Sequence, residues 1–138
     1  MVPGPPQGKA RARTVHHAGS GRTMSYTPAH TVLYENLIKT MYSQETGHIW
    51  DQKEPLNVEI LAVYGIPKSV SKKERQRMLR GDIFPTKKPD ADNISKVVLD
   101  ALNGIAYKDD SQVVYLNIFK MYGNVPYVEV LISDMQRK

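Results

Sequence analysis

The stretch KPDADNISKVVLDALNGIAYKDDSQVV, residues 88–114, decides how this chain is read. Ile94, Val97, Val98, Ala101, Leu102 and Ile105 recur at helical spacing and form one apolar face, leaving Asn93, Lys96, Asp100 and Asn103 on the other. Asp92 is a suitable N-cap and Asn103-Gly104 a usual C-terminal stop, so the spacing predicts a helix over about 93–103. Pro89 biases Lys88 toward extended backbone, which makes the approach to the helix extended or loop-like and lets Asp90 and Asp92 point the same way. Lys96 follows Asp92 by four residues, roughly 6 Å along the helix axis. Two carboxylates and an ammonium thus share a small volume, and Asp109 and Asp110 follow just past the helix end.

Each of these features also has an ordinary structural reading. An Asp before a helix is favoured by capping and by the helix dipole, Asp-Asp before a strand is a common turn, and Lys96 with Asp100 makes a surface i,i+4 pair. The set is harder to explain that way. Capping needs one acid, whereas four acids around one short helix repel each other unless a cation or a basic ligand neutralises them. A calcium loop does not fit, because Asp90, Asp92 and Ile94 break the D-x-[DN]-x-[DN]-G pattern at its third ligand and its glycine. The absence of cysteine and of a well-placed histidine cluster favours a hard cation on oxygen ligands.

These residues resemble the signature of the RusA family of Holliday-junction resolvases, in which [RK]-x-D-x-D-N-x-x-K is followed by D-A-L and then D-D-x-Q-V. Here the pattern is Lys88, Asp90, Asp92, Asn93 and Lys96, then Asp100-Ala101-Leu102, then Asp109-Asp110-Ser111-Gln112-Val113. PGPPQGKARAR near the start, SYTP before the first helix and the basic segment from IPKS to KPD match more loosely, so the likeness covers nearly the whole chain. The resemblance implies that Asp90, Asp92, Asp110 and Lys96 are catalytic. It also implies a small homodimeric endonuclease of bacteria and their phages, with a compact α/β fold.

Working outward, 138 residues suffice for a single domain with one core. With 41% hydrophobic and 24% charged residues the composition is that of an ordinary globular protein. The lack of cysteine excludes disulfides and thiolate metal sites and suits a reducing cytoplasm. No apolar run approaches membrane-spanning length and no signal-peptide hydrophobic region opens the chain, so a cytoplasmic protein with no membrane partner is expected.

Net charge is +5, unevenly distributed: residues 1–22 carry +4, residues 68–88 carry +6, and the remainder sums to −5. Basic segments beside an acidic, metal-binding stretch are what a phosphodiester enzyme needs, since positive charge attracts the nucleic-acid backbone while carboxylates hold a cation. The competing reading is a solvated Lys-rich surface. On the first, Lys9, Arg11 and Arg13, then Lys72, Lys73, Arg75, Arg77, Lys87 and Lys88, are the candidate DNA contacts.

Residues 1–25 show no sustained period and read as a short strand or extended start followed by a flexible basic loop, with His16 and His17 as loop residues. By comparison with the family, a first strand before the PG dipeptide is expected to be truncated or absent. Thr27-Pro28 predicts a helix start, Thr as cap and Pro in the first helical position. Leu33, Tyr34, Leu37, Ile38, Met41 and Tyr42 carry that helix toward Gly47, and a connection runs over 48–55, in which Trp50 has no assigned place. LNVEILAVYG, residues 56–65, alternates on one face (Leu56, Val58, Ile60, Ala62, Tyr64) and is apolar on both in its second half, which predicts a central strand.

Ser71-Lys72-Lys73-Glu74 fits a capping box, so a short basic helix is expected from 72 to about 80, stopped by Gly81 and followed by a basic loop over 82–88. Residues 113–122 and 125–132 read as two strands joined by Gly123-Asn124 in a hairpin, with Pro126 marking an edge, and 133–138 as a polar tail.

Assembled, the expectation is a single α+β domain over residues 1–138, with a small mixed or antiparallel sheet and helices on one face, pairing as a homodimer. The expected activity is Mg²⁺-dependent resolution of four-way DNA junctions by paired symmetric nicks, in DNA recombination and repair, with Mn²⁺ as a substitute: Asp90, Asp92 and Asp110 hold metal, while Asp100 and Asp109 support them or serve the fold. Lys96 either stabilises charge developing on the phosphate or balances the carboxylates. A broader flap or branched-DNA nuclease of phage origin and a catalytically silent DNA-binding protein are the alternatives. Facing a polyanion, binding alone gives no reason for a complete acidic set.

Overall fold

The computed structural model describes residues 1–10, 13–17, 22–26 and 28–135, with 13–17 and 22–26 described by their backbone. In chain order the elements are β1 (Val2–Pro3), β2 (Arg13–His17), β3 (Arg22–Tyr26), α1 (Ala29–Glu45), β4 (Leu56–Gly65), α2 (Lys72–Leu79), α3 (Ala91–Leu102), β5 (Val113–Gly123) and β6 (Tyr127–Asp134), with a 3₁₀ turn over Asp110–Gln112. The architecture is α+β, a mixed four-stranded sheet in the order β1-β6-β4-β5 with a separate β2-β3 ribbon. No helix among the described residues is long and apolar enough to cross a membrane.

The sheet is built on β4, whose bounds coincide with those read from its alternation. Leu56, Val58, Ile60, Ala62 and Tyr64 are all buried on the inward face, and Val63 is buried on the other. Leu56, Val58, Ile60 and Val63 each contribute about 1.5–3 kcal/mol by leaving water. Helices α1 and α3 pack against each other and close this face. Tyr34 and Ile38 from α1 join Ile94, Val97, Val98, Ala101 and Leu102 from α3 in one core. α2 lies beside β5, with only Met78 of its side chains buried.

Several boundaries and one topology differ from the sequence reading. The largest difference is at the C-terminus, where β5 and β6 do not form a hairpin. β5 pairs parallel to β4 on one side and β6 antiparallel on the other. A strand apolar on both faces draws two neighbours, and the link after β5 must then pass over the end of β4. Pro126 packs there, its ring 3.7 Å from where a Cβ on Gly65 would stand. A two-residue hairpin turn needs positive φ at its centre, and neither Gly123 nor Asn124 has it. Gly123 instead makes room for the crossing: a Cβ there would sit 2.6 Å from Val63 Cγ1, so only a bare Cα lets the chain lie close.

Pro126 precedes β6 rather than marking its edge, since the first residues of β6 are flanked by β1 as well as β4. β5 and the short β1 are the two edge strands of the sheet. β6 is eight residues long, as expected, but lies two residues later, which takes Ser133 and Asp134 from the expected tail.

Residues 13–17 and 22–26 pair as an antiparallel ribbon instead of a loop, so His16 and His17 are strand residues. The first strand is short, as expected, only two residues, with Val2 opposite Val128 and Pro3 opposite Tyr127. Pro28 takes the cap position of α1, one residue before the helix, and Thr27 lies outside the described residues. Leu33 is 69% exposed because Thr31, Tyr34 and Ile38 make the buried stripe. Trp50, unplaced from sequence, packs on the core and donates its backbone N–H to Ala106 O at 2.8 Å.

Candidate active site

The first turn of α3 carries the acidic motif. The helix begins two residues earlier than its apolar period predicts, so Asp90, with extended backbone, holds the cap position and Asp92 stands inside the first turn. Asp92 is therefore not the cap. Neither carboxylate closes onto the helix backbone as a cap would. Asp90 Oδ1 accepts from Asn93 Nδ2 at 3.2 Å, and Asp92 Oδ2 pairs with Lys96 Nζ at 3.3 Å. Both carboxylates are exposed at the positive end of the helix dipole, where negative charge is stabilised. The structure thus brings together Asp90, Asp92 and Lys96.

The segment leading into this turn is pinned by two strand residues that the sequence reading did not single out. Tyr64 of β4 donates its hydroxyl to Pro89 O at 2.6 Å, and Lys120 of β5 donates to Lys87 O at 2.8 Å while its ammonium lies 5.1 Å from the Tyr64 ring centre. Burial first, then the Asp90 and Tyr122 charges, push the Tyr64 phenol up to about 12, so it remains a donor at neutral pH. Lys120 shares the inward face with Ile118 and Tyr122 in an apolar run. A lysine in that phase was the available signal.

The N-terminal segment clamps the turn from the other side. Lys9 N–H donates to Asn93 O at 2.9 Å, and a Cβ on Gly8 would stand 2.9 Å from Asn93 Cβ and 3.0 Å from Pro89 Cβ. The Lys9 ammonium is bound by Glu35 Oε1 at 2.6 Å and Asp100 Oδ2 at 3.3 Å. Burial disfavours that charge, the two carboxylates outweigh it, and the pKa is raised. Lys9 therefore joins the start of the chain to α1 and α3, with its ammonium against two acids, and it also lines the groove that holds Asp90. Asp100 is likewise engaged with Lys9.

Asp110 lies elsewhere. It opens the 3₁₀ turn before Val113, which pairs with Leu56 at the start of β4, whereas Pro89 meets Tyr64 at the far end of that strand. α3 separates them, and its 12 residues span about 18 Å. Asp109 caps the 3₁₀ turn through Ser111, whose hydrogen bonds hold its carboxyl below the usual range. Among the described residues no group of three or more His, Cys, Asp or Glu side chains is placed to hold a metal ion. Within one chain, Asp90 and Asp92 offer hard oxygen ligands at one end of α3 and Asp110 at the other.

Basic residues surround the Asp90 end. Lys72, Lys73 and Arg77 are exposed on α2, and Arg75 donates to Asn124 Oδ1 at 2.7 Å. Lys87 and Lys88 are exposed on the loop into α3 and border two open grooves of about 390 Å³ each. One groove contains Gly8, His30, Lys88, Asp90 and Asn93; the other contains Tyr64, Lys87, Lys88 and prolines. His30 was not foreseen. Arg11 lies outside the described residues, and of Arg13 only the backbone, in β2, is described.

A sequence model of the family described as Endodeoxyribonuclease RusA matches residues 3–133. The chain is also 36% identical over 137 residues to the uncharacterized protein YqaN of Bacillus subtilis (strain 168), an alignment covering 98% of this chain and 90% of that protein.

Proposed function

The chain belongs to the RusA family of endodeoxyribonucleases, and on that footing we propose that it resolves four-way DNA junctions by divalent-metal-dependent hydrolysis, nicking two strands symmetrically. The observation that carries this reading is the exposed Asp90–Asp92 pair at the head of α3, with Lys96 3.3 Å from Asp92 and a basic loop leading into it. Exposed acids beside lysines suit a site that binds a phosphodiester through a cation.

Asp90 and Asp92 are the proposed ligands for Mg²⁺, with Mn²⁺ as a substitute, because carboxylates are hard ligands. A bound cation would supply polarisation of the scissile phosphate and a more acidic water. The chain's own groups do the rest. Lys96 brings positive charge to the site of developing negative charge, the Asn93 amide steadies one Asp90 oxygen, and Lys87 and Lys88 hold flanking phosphates. Lys72, Lys73, Arg75 and Arg77 extend the basic surface along the DNA.

Asp110 enters this scheme through a homodimer. A twofold axis across the sheet sets the two chains head to tail, which carries the Asp110 end of one chain toward the Asp90 end of its partner. The outward sheet face supports such a pairing, since Tyr115, Phe119 and Leu131 are each more than half exposed on it. Dimer and junction then share twofold symmetry. Such an enzyme works where DNA recombines and is repaired, in the cytoplasm of a bacterium or of a cell infected by its phage.

The test is incubation with a labelled four-way junction beside linear duplex of the same sequence, with Mg²⁺ or EDTA. Paired nicks in the junction only with Mg²⁺ are expected. Equal cutting of linear duplex would refute junction selectivity.

A further inference from the structure

The groove beside the Asp90 groove has a lining that phosphate binding alone does not explain. It shares Lys88 and Pro89 with its neighbour, yet its own walls are Pro5, Pro6, Gly65, Pro126 and the edge of Tyr64, and no carboxylate lines it. Its charged lining residues are Lys87, whose ammonium lies 5.9 Å from the Tyr122 ring centre, and Lys88. Its volume of about 390 Å³ falls within the range of small-molecule sites, roughly 300–1,000 Å³. The walls are fixed: Tyr64 is bonded to Pro89, Lys120 to Lys87, and Val2–Pro3, just before Pro5, is paired with β6. Cyclic apolar walls with two lysines in the lining match a flat ring that carries a phosphate, the ring against the prolines and the phosphate near the lysines.

We infer that this groove receives one unstacked nucleotide of the strand being cut, adjacent to the phosphate held at Asp90. The inference rests on the nuclease reading above and adds a subsite to it. A base stacked in a duplex cannot enter a concave groove, and extrusion costs least where pairing is already interrupted, as at a branch point. The subsite therefore contributes to junction selectivity, and Pro5, Pro6, Gly65 and Pro126 become substrate-contacting residues.

The experiment uses the full chain and a four-way junction carrying 2-aminopurine at single positions flanking the branch, in EDTA so that binding is read without cutting. Cleavage of the same junctions is then followed with Mg²⁺. Wild type is expected to raise the fluorescence at least twofold at one position next to the nick. Gly65→Leu fills the groove, and its backbone accepts a Cβ at ordinary contact distance, 3.7 Å from the Pro126 ring. It should abolish that rise and weaken junction binding about tenfold, the loss of roughly one stacked base. Lys87→Glu, an exposed substitution, keeps the test open if Gly65→Leu does not fold, and should lower the rise at the same position. A junction that is cut while no position brightens, or while neither variant dims it, overturns the subsite and leaves the nuclease reading standing. A wild-type protein that neither binds nor cuts the junction overturns the nuclease reading, and the subsite with it.

Discussion

Lys9 shows how a residue's role depends on what the fold brings to it. In the sequence it opens a basic run and resembles a DNA contact; in the structure Glu35 and Asp100 enclose its ammonium. The two acids belong to separate helices, and nothing local to Lys9 points to either. Asp92 and Lys96 are the opposite case, because i,i+4 spacing on a helix makes their pairing legible. Tyr64 and Lys120 were hidden because each acts on a loop carbonyl remote in sequence. Lys9→Ala should lower stability by about 2 kcal/mol, since it leaves the largely buried Glu35 carboxylate without its cation. Urea denaturation measures this, and a change within error would mean that the ion pair is idle. The pH sign follows from the raised pKa: the contribution is complete below the ordinary lysine value, about 10.4, and is lost as pH climbs through the higher folded value. The gap between Lys9→Ala and wild type should therefore close above that pH.

At the level of elements, α3 and β4 were legible because a strong apolar period is a property of the segment itself. The ends of α3 were less so: the periodic residues begin at Ile94, and a helix extends past its last buried residue at no cost the pattern records. The hairpin expectation failed for a related reason. Gly-Asn between two apolar runs is a good local turn signal, but β4 is apolar on both faces and takes both strands as neighbours, a preference that lies outside the turn. Gly123→Val tests the crossing. Its Cβ would meet Val63 Cγ1 at 2.6 Å, so a cost of about 1–3 kcal/mol is expected from overpacking. Thermal melting at the wild-type temperature would contradict the close crossing over β4.

At the scale of the whole molecule, charge and symmetry govern the function. The +6 segment over 68–88 adjoins the acidic turn, while the residues outside the two basic segments sum to −5. This asymmetry was legible at once, whereas the distance between Asp90 and Asp110 was not, because a shared motif in the sequence does not fix which end of a helix each part occupies. If the basic surface neutralises about 6 phosphates, log K for junction binding should fall with log[salt] at a slope near −5. Titrations from about 50 to 200 mM salt measure it, and a slope near zero would mean that the basic segments face away from the DNA. The central claim is that the carboxylates at the head of α3 cut junction DNA. Its most direct test compares wild type with Asp92→Asn on a labelled four-way junction, reading binding in EDTA and cleavage in Mg²⁺. The account predicts that Asp92→Asn binds the junction at least as tightly as wild type, because less negative charge faces the phosphates, and leaves it uncut. Cleavage by Asp92→Asn at the wild-type rate would contradict it.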